Sequence, residues 1–148
     1  MPLRKDWLSR IEDVEREHLA IRQAVDRFRE EAYKDATILR DNLKSREIDK
    51  ASKNLEGTYI IRFFAEFENG ARQYYNSIKD SVPKTSDLLN SLSAKCKIPH
   101  NLWHNVNMVR DYRNSLVHES EDKDVKPVPI AQVHNDLRQF FRRLPWKW

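Results

Sequence analysis

Along the first third of the chain, apolar residues recur at alternating steps of three and four. Ile11, Val14, Ile21, Val25, Phe28, Ala32 and Leu39 lie on this seam, and His18 and Asp35 fill two of its positions. Arg, Glu, Asp and Lys occupy the flanks, the pattern of a heptad seam along one helix. Pro2 and Asp6 suit a helix start, and the phase is lost around residues 45–49. The spacing therefore predicts one long helix from residue 3 to about residue 45. At 1.5 Å per residue, about 40 residues would make ~60 Å, longer than a small bundle is wide. Part of such a helix must lie on a partner or pack over a dimer; a kinked bundle helix and an intermolecular coiled coil both fit. His18 reads as a satisfied or register-setting polar residue of the seam.

A second helix is predicted from about 48 to 80, with Ile60, Phe63, Phe64, Phe67, Ala71, Tyr74 and Ile78 on one stripe, widened by Ile61 and Tyr75. Gly57 and Gly70 suit close approaches of backbones. Residues 81–86 form a loop in which Thr85 or Ser86 can cap a short helix carrying Leu88, Leu89, Leu92 and Ala94. That helix ends near Lys97, because Pro99 disfavours helical geometry at the residue before it. Pro99 starts the next helix. There Leu102, Val106, Val109, Arg113 and Leu116 or Val117 share a face, while Trp103, Met108 and Tyr112 occupy others. Residues 119–124 read as a solvated charged loop. A last helix follows over about 130–143, with Ile130, Val133, Leu137, Phe140 and Phe141 inward. The tryptophans at 146 and 148 are expected to cover the bundle end or a dimer seam, ahead of stacking on bases.

These elements make the chain all-α: an up-and-down helical bundle with a long N-terminal helix. Residues 1–47 form that helix and 48–148 the bundle, in one compact domain overall. A chain of 148 residues supports one core. With 34% charged residues and 2 Gly, composition also favours helices. The chain has no apolar run long enough to span a bilayer and a single cysteine, Cys96, which reads as a packing residue. The expectation is a cytoplasmic protein with no membrane partner. The net charge of +4 is uneven: residues 1–50 carry 12 basic and 12 acidic side chains, residues 51–148 carry 15 and 11. Such an excess, with Arg110, Arg113, Arg138, Arg142, Arg143 and Lys147 contributing, is compatible with a phosphate-bearing partner.

The chemistry concentrates in Met108-Val-Arg-Asp-Tyr-Arg-Asn-Ser-Leu-Val-His-Glu119, at the end of a predicted helix. Metal-free cleavage of RNA needs a base for the 2′-OH, a cation for the phosphorane and a proton for the leaving oxygen. His118 can be base or acid, since imidazole titrates near neutrality. Arg113 can bridge two phosphate oxygens with its fork. Asn114 is four residues before His118 and shares its side of the helix. Arg113 and His118, five apart, point about 140° away from each other on an ideal helix. The bland alternatives are an Arg113 ion pair with Glu66 or Glu68, an Asn114 contact to another helix, and a His118 favoured by the helix dipole. Glu68 borders the buried stripe of its helix and can pair with Arg72 across one helical turn. His100 and His104 have metal-gripping spacing but no acidic or Cys partner nearby, so no metal and no cofactor is expected.

Arg113-Asn114, three residues and His118, following the aromatic helix of residues 60–75 and preceding a helix that ends in Arg142-Arg143-Leu144-Pro145, resembles the HEPN superfamily. The resemblance covers roughly residues 48–145. It implies a metal-independent endoribonuclease of the toxin–antitoxin or antiphage-defence kind, leaving 2′,3′-cyclic phosphate and 5′-OH ends. It further implies a homodimer with the active site at the two-fold interface. Arg113, Asn114 and His118 would be catalytic and Glu68, Arg110 and Arg72 supporting. The partners would be RNA, with tRNA as one candidate, and an antitoxin protein. Members paired with a nucleotidyltransferase antitoxin carry a modified Tyr two residues after the His; here that position is Ser120, which puts this mode of neutralisation in doubt. The rival classes are a non-catalytic HEPN-type interaction or ligand-binding module and a coiled-coil scaffold built on residues 3–45.

Overall fold

A computed structural model describes residues 3–81, 83–118 and 124–147. Five α-helices account for most of them: α1 (Arg4–Lys34), α2 (Ser45–Ile78), α3 (Thr85–Lys95), α4 (His100–His118) and α5 (Ile130–Arg142), with a 3-10 turn at Ala36–Ile38. The chain is an all-α bundle, and no strand occurs among the described residues.

The first helix is shorter than its seam predicts. It stops at Lys34 because Asp35 leaves helical geometry and turns its carboxylate onto the Thr37 amide (3.0 Å) and hydroxyl (2.6 Å). A short acidic side chain competes in this way with the helical bond to its own backbone. Asp41 and Asn42 then adopt positive φ (57° and 60°), a conformation that these two residue types tolerate better than most. The chain reverses, and α2 begins at Ser45 rather than near 48, with the Glu47 carboxylate accepting from the Lys44 amide (2.8 Å).

α1 and α2 form an antiparallel hairpin. The Trp7 indole donates to Gln73 and Arg62 pairs with Glu17; Arg22 donates to Ser52 Oγ (2.9 Å) and carbonyl (3.0 Å), and Arg29 pairs with Asp49 (2.9 Å). α5 runs parallel to α2, bringing His134 to Phe63 and Phe140 to Phe67. α4 runs antiparallel to α2, setting Arg113 over Phe64 and Leu116 beside Gly57. α2 and α5 form the middle of the bundle, with α1 and α4 on opposite sides. α3 is a short prop against α2 and α4. Its predicted cap shifts by one: Lys84 stands at the N-cap, and Thr85 is the first helical residue. Lys97 (φ 51°) closes its C-terminal turn, with the Ile98 amide reaching back to the Ser93 carbonyl (3.0 Å).

The core follows the predicted stripes. Ile60, Phe63, Phe64, Phe67, Ala71 and Tyr74 of α2 are buried, as are Val133, Leu137, Phe140 and Phe141 of α5 and Leu102, Val106 and Val109 of α4. Ile78, expected at the end of the α2 stripe, is exposed. From α1, only part of the seam is covered: Ile11, Val14, His18 and Ala32 are buried, while Ile21 and Phe28 are exposed. α5 starts beside Glu56, whose carboxylate accepts from the Ile130 amide (2.8 Å). The hairpin continues past that level, where Val25, Phe28, Leu43 and Ile48 line an apolar groove between its two helices.

Two histidines sit where α1 meets its neighbours. The His18 ring lies tilted against Tyr59 at 5.1 Å; the His134 ring lies 5.2 Å from Phe63, and its Nε2 is 3.1 Å from Glu15 Oε2. Burial holds both imidazoles below their ordinary range. For His18, Arg22 acts in the same sense while Glu56 and Glu15 oppose it. For His134, Glu15 and Glu12 oppose it while Arg138 and Arg142 reinforce it. The unfolded chain takes up protons at these positions below about pH 6.5, where the folded one does not. Their contribution to stability is therefore full above that pH and lost progressively as pH falls below it. Thermal melts between about pH 7.5 and 5.0 should show a falling midpoint, flattened in a His18→Gln/His134→Gln variant; an equal slope in both proteins would refute the assignment.

The two glycines of α2 should respond oppositely to alanine. A Cβ at Gly70 would meet the buried Phe141 ring at 2.7 Å and Trp7 at 3.0 Å, whereas one at Gly57 would meet Leu116 at an ordinary 3.4 Å. Gly57→Ala should raise stability by about 0.5–1 kcal/mol through helix propensity. Gly70→Ala should lower it, since overpacking costs about 1–3 kcal/mol against that same gain. Urea denaturation midpoints read both.

Candidate functional site

The residues with chemical potential are carried by the last three turns of α4. The Pro99 carbonyl accepts the first helical bond, from Trp103 (3.0 Å), so Pro99 is the residue before the helix rather than its first member. From there the inner face runs Leu102, Val106, Val109, then Arg113. Arg113 thus occupies an apolar stripe position, and its guanidinium lies 5.6 Å from the centre of the Phe64 ring. Its Nη1 donates to Asn114 Oδ1 (3.0 Å), while its buried Nε has no partner among the described residues. Neither Glu66 nor Glu68 pairs with it.

His118 is the last residue of α4 and is exposed. It follows Asn114 by four residues and Arg110 by eight, so these three form one ridge along the outer side of the helix. Arg110 is held by its neighbour Asp111 (3.0 Å). The fold therefore joins Arg113 to Asn114 and aligns Asn114 with His118, but it does not bring Arg113 and His118 together. α4 stays helical through His118, so the helix does not end early enough to close the ~140° between them. Every residue from Tyr112 to Leu116 is only half-buried, and Val117 is 42% exposed, so this end of α4 is uncovered.

Glu68 and Arg72 stand apart from that ridge and form a structural clamp. Glu68 Oε1 accepts from Arg72 Nη2 (2.9 Å) and from the Thr85 hydroxyl (2.9 Å), and Arg72 Nη1 donates to the Pro83 carbonyl (2.7 Å). This network fixes the loop between α2 and α3, so the i,i+4 pair is the role the structure shows. Beside the other flank of α4 lies an open groove of about 630 Å³, lined by Lys53, Asn54, Thr58, Tyr112 and the Pro127–Pro129 segment. Tyr112 titrates above its ordinary range through burial, reinforced by Glu56. Sequence reading missed Glu56 and this groove, because the Glu56–Ile130 contact joins residues 74 apart, with no local signature.

No protein-family model, curated protein or solved structure matches this chain. Its chemistry rests on its own geometry. Among the described residues no three His, Cys, Asp or Glu side chains gather closely enough to hold a metal ion. His100 stacks on Trp103 at 5.1 Å, and Cys96 sits beside Tyr74 with its thiol pushed up by burial. Ser120 and most of the acidic loop lie outside the described residues. No described helix is long and apolar enough to cross a membrane.

The clamp has a direct test. Glu68→Ala leaves Arg72 without its carboxylate and Thr85 without its acceptor, and should cost about 1–3 kcal/mol. The loss should appear as faster amide exchange over the α2–α3 loop, with α4 exchange unchanged. Faster exchange at the end of α4 instead would place Glu68 with the ridge.

Proposed function

We propose that the chain is a metal-independent endoribonuclease of the HEPN kind, acting as a homodimer in a toxin–antitoxin or antiphage-defence setting. The observation that carries the reading is the state of the α4 terminus: Arg113 and Asn114, bonded to each other and half-buried, lie on the same uncovered helix end as the exposed His118. His118 is the proton-transfer group, accessible to substrate. Arg113 supplies the cation for the phosphorane; its buried Nε has no hydrogen-bond partner among the described residues. Asn114 connects the two, bonding Arg113 and sharing the His118 ridge.

A second subunit resolves the angle between Arg113 and His118. Across a two-fold axis at the α4 ends, two histidine ridges face each other, and four groups surround one phosphate. The apolar groove of the α1–α2 hairpin lies toward the same end of the bundle, past the start of α5, and supplies surface that such a partner would cover. In the reaction the 2′-oxygen attacks phosphorus as a base removes its proton. The P–O5′ bond breaks, and an acid protonates the departing 5′-oxygen. The products are a 2′,3′-cyclic phosphate and a 5′-OH. RNA, including tRNA, is the substrate class, and an antitoxin protein is the expected restraint. The second reading, a non-catalytic HEPN-type binding module, is favoured by the open groove beside Tyr112.

The purified protein should cleave bulk RNA or tRNA in EDTA and leave cyclic phosphate ends. His118→Ala should lower the rate by about 10²–10⁴-fold, the usual worth of a positioned acid or base. Equal cleavage by both proteins, or none by either while the dimer persists in sedimentation, would reject the nuclease.

A further inference from the structure

At the opposite end of the bundle the chain builds a second cationic surface, remote from the α4 ridge. Arg4 at the start of α1 donates Nη1 to the carbonyls of Arg142 (2.8 Å) and Leu144 (2.5 Å), which fixes the N-terminal turn of α1 against the C-terminus of α5. Lys5, Arg142, Arg143 and Lys147 are exposed around that junction, and none of them forms an ion pair among the described residues. Asp6, the acid of the same helical turn, is turned away onto the Leu3 amide (2.6 Å).

The aromatic component is Trp146. Leu144 is fully buried and closes the bundle end, while Trp146 is 62% exposed. Trp146, expected with Trp148 to cover the bundle end or a dimer seam, does not cover the bundle end, and Trp148 lies outside the described residues; Lys147 Nζ is 4.4 Å from the Trp146 ring centre. A large apolar ring held in solvent among unpaired cations is poorly placed for packing and well placed to stack on a base while its neighbours meet phosphates. The α5 helix separates this surface from the start of the α4-side end by about 20 Å, at 1.5 Å per residue.

We propose that Trp146, Arg142, Arg143, Lys147 and Lys5 form a binding site for single-stranded nucleic acid, distinct from the α4 ridge. The cations follow the sugar-phosphate backbone, and the indole stacks on one base without reading sequence. This site does not require the α4 ridge to be catalytic.

Fluorescence anisotropy of a labelled single-stranded RNA oligonucleotide, titrated with the His118→Ala protein to prevent cleavage, tests the proposal. Trp146→Ala should weaken binding by about ten-fold, within the range for loss of one base–aromatic stack. Arg142→Glu/Arg143→Glu should weaken it further and reduce the slope of log K against log salt, each lost phosphate contact being worth about 0.7. Arg40→Glu/Lys50→Glu, an equal charge change elsewhere on the chain, should leave binding unchanged. No binding by the parent, an equal loss from the control pair, an unaltered affinity in Trp146→Ala, or tighter binding to anionic phospholipid vesicles would each overturn it. Because the titration is read without cleavage, it stands or falls separately from the nuclease assay.

Discussion

The apolar stripe of α2 is the constraint from which the rest of the bundle follows. Among the described elements α2 packs on all four other α-helices. Its phenylalanines set their positions: Phe67 takes the edges of Phe140 and Phe141 at 5.4 and 6.3 Å, and Phe64 lies under Arg113. At Gly70 the stripe has no side chain, and the rings of Trp7 and Phe141 close over the gap. That one absent Cβ sets how near the start of α1 comes to the end of α5. The approach then lets Arg4 reach the terminal carbonyls of α5, where a cation also complements the helix dipole. Core packing and the cationic surface are therefore one arrangement seen from inside and outside.

Most of this was readable from the spacing of residues, because helical period survives in sequence wherever one face is buried. The inward positions of α5 and the Leu102–Val106–Val109–Arg113 stripe were legible for that reason, and so was the Glu68–Arg72 pair, which is local. The length of α1 was not. Its seam keeps phase through Asp35 to Leu39, but the Asp35 carboxylate captures Thr37 and the helix stops. Periodicity reports which side of a helix would be apolar, and it cannot report that a side chain has outcompeted the backbone. The clue lay in residue type, in Asp35 and the Asp41-Asn42 pair, rather than in the pattern.

What joins distant segments left no trace in the sequence. Glu56 accepting from the Ile130 amide and Thr85 completing the Glu68 clamp both depend on how helices meet. The exposed Trp146 is of the same kind. Of the two places expected for it, the bundle end is filled by the smaller Leu144, and the indole is left outside the core.

The position of Arg113 bears on how any chemistry at α4 must work. A guanidinium on an inner stripe position, over an aromatic ring, surrenders hydration and receives in return a ring contact and one amide oxygen. Such an arrangement leaves a strong cation under-compensated, since Arg has five donors and the unpartnered Nε is buried. An apolar residue would fill this position at lower cost, as Val109 does one turn earlier. The charge is better matched when an anion approaches the open end of α4, where burial is incomplete. His118 does not share that face of the helix, because α4 is continuous through His118 and its turn carries the imidazole away. In the dimer proposed above, a second α4 related by a two-fold axis would present a histidine from the other side. The continuity of α4 through His118, which defeats a site within one chain, is thus the reason the proposed site needs two.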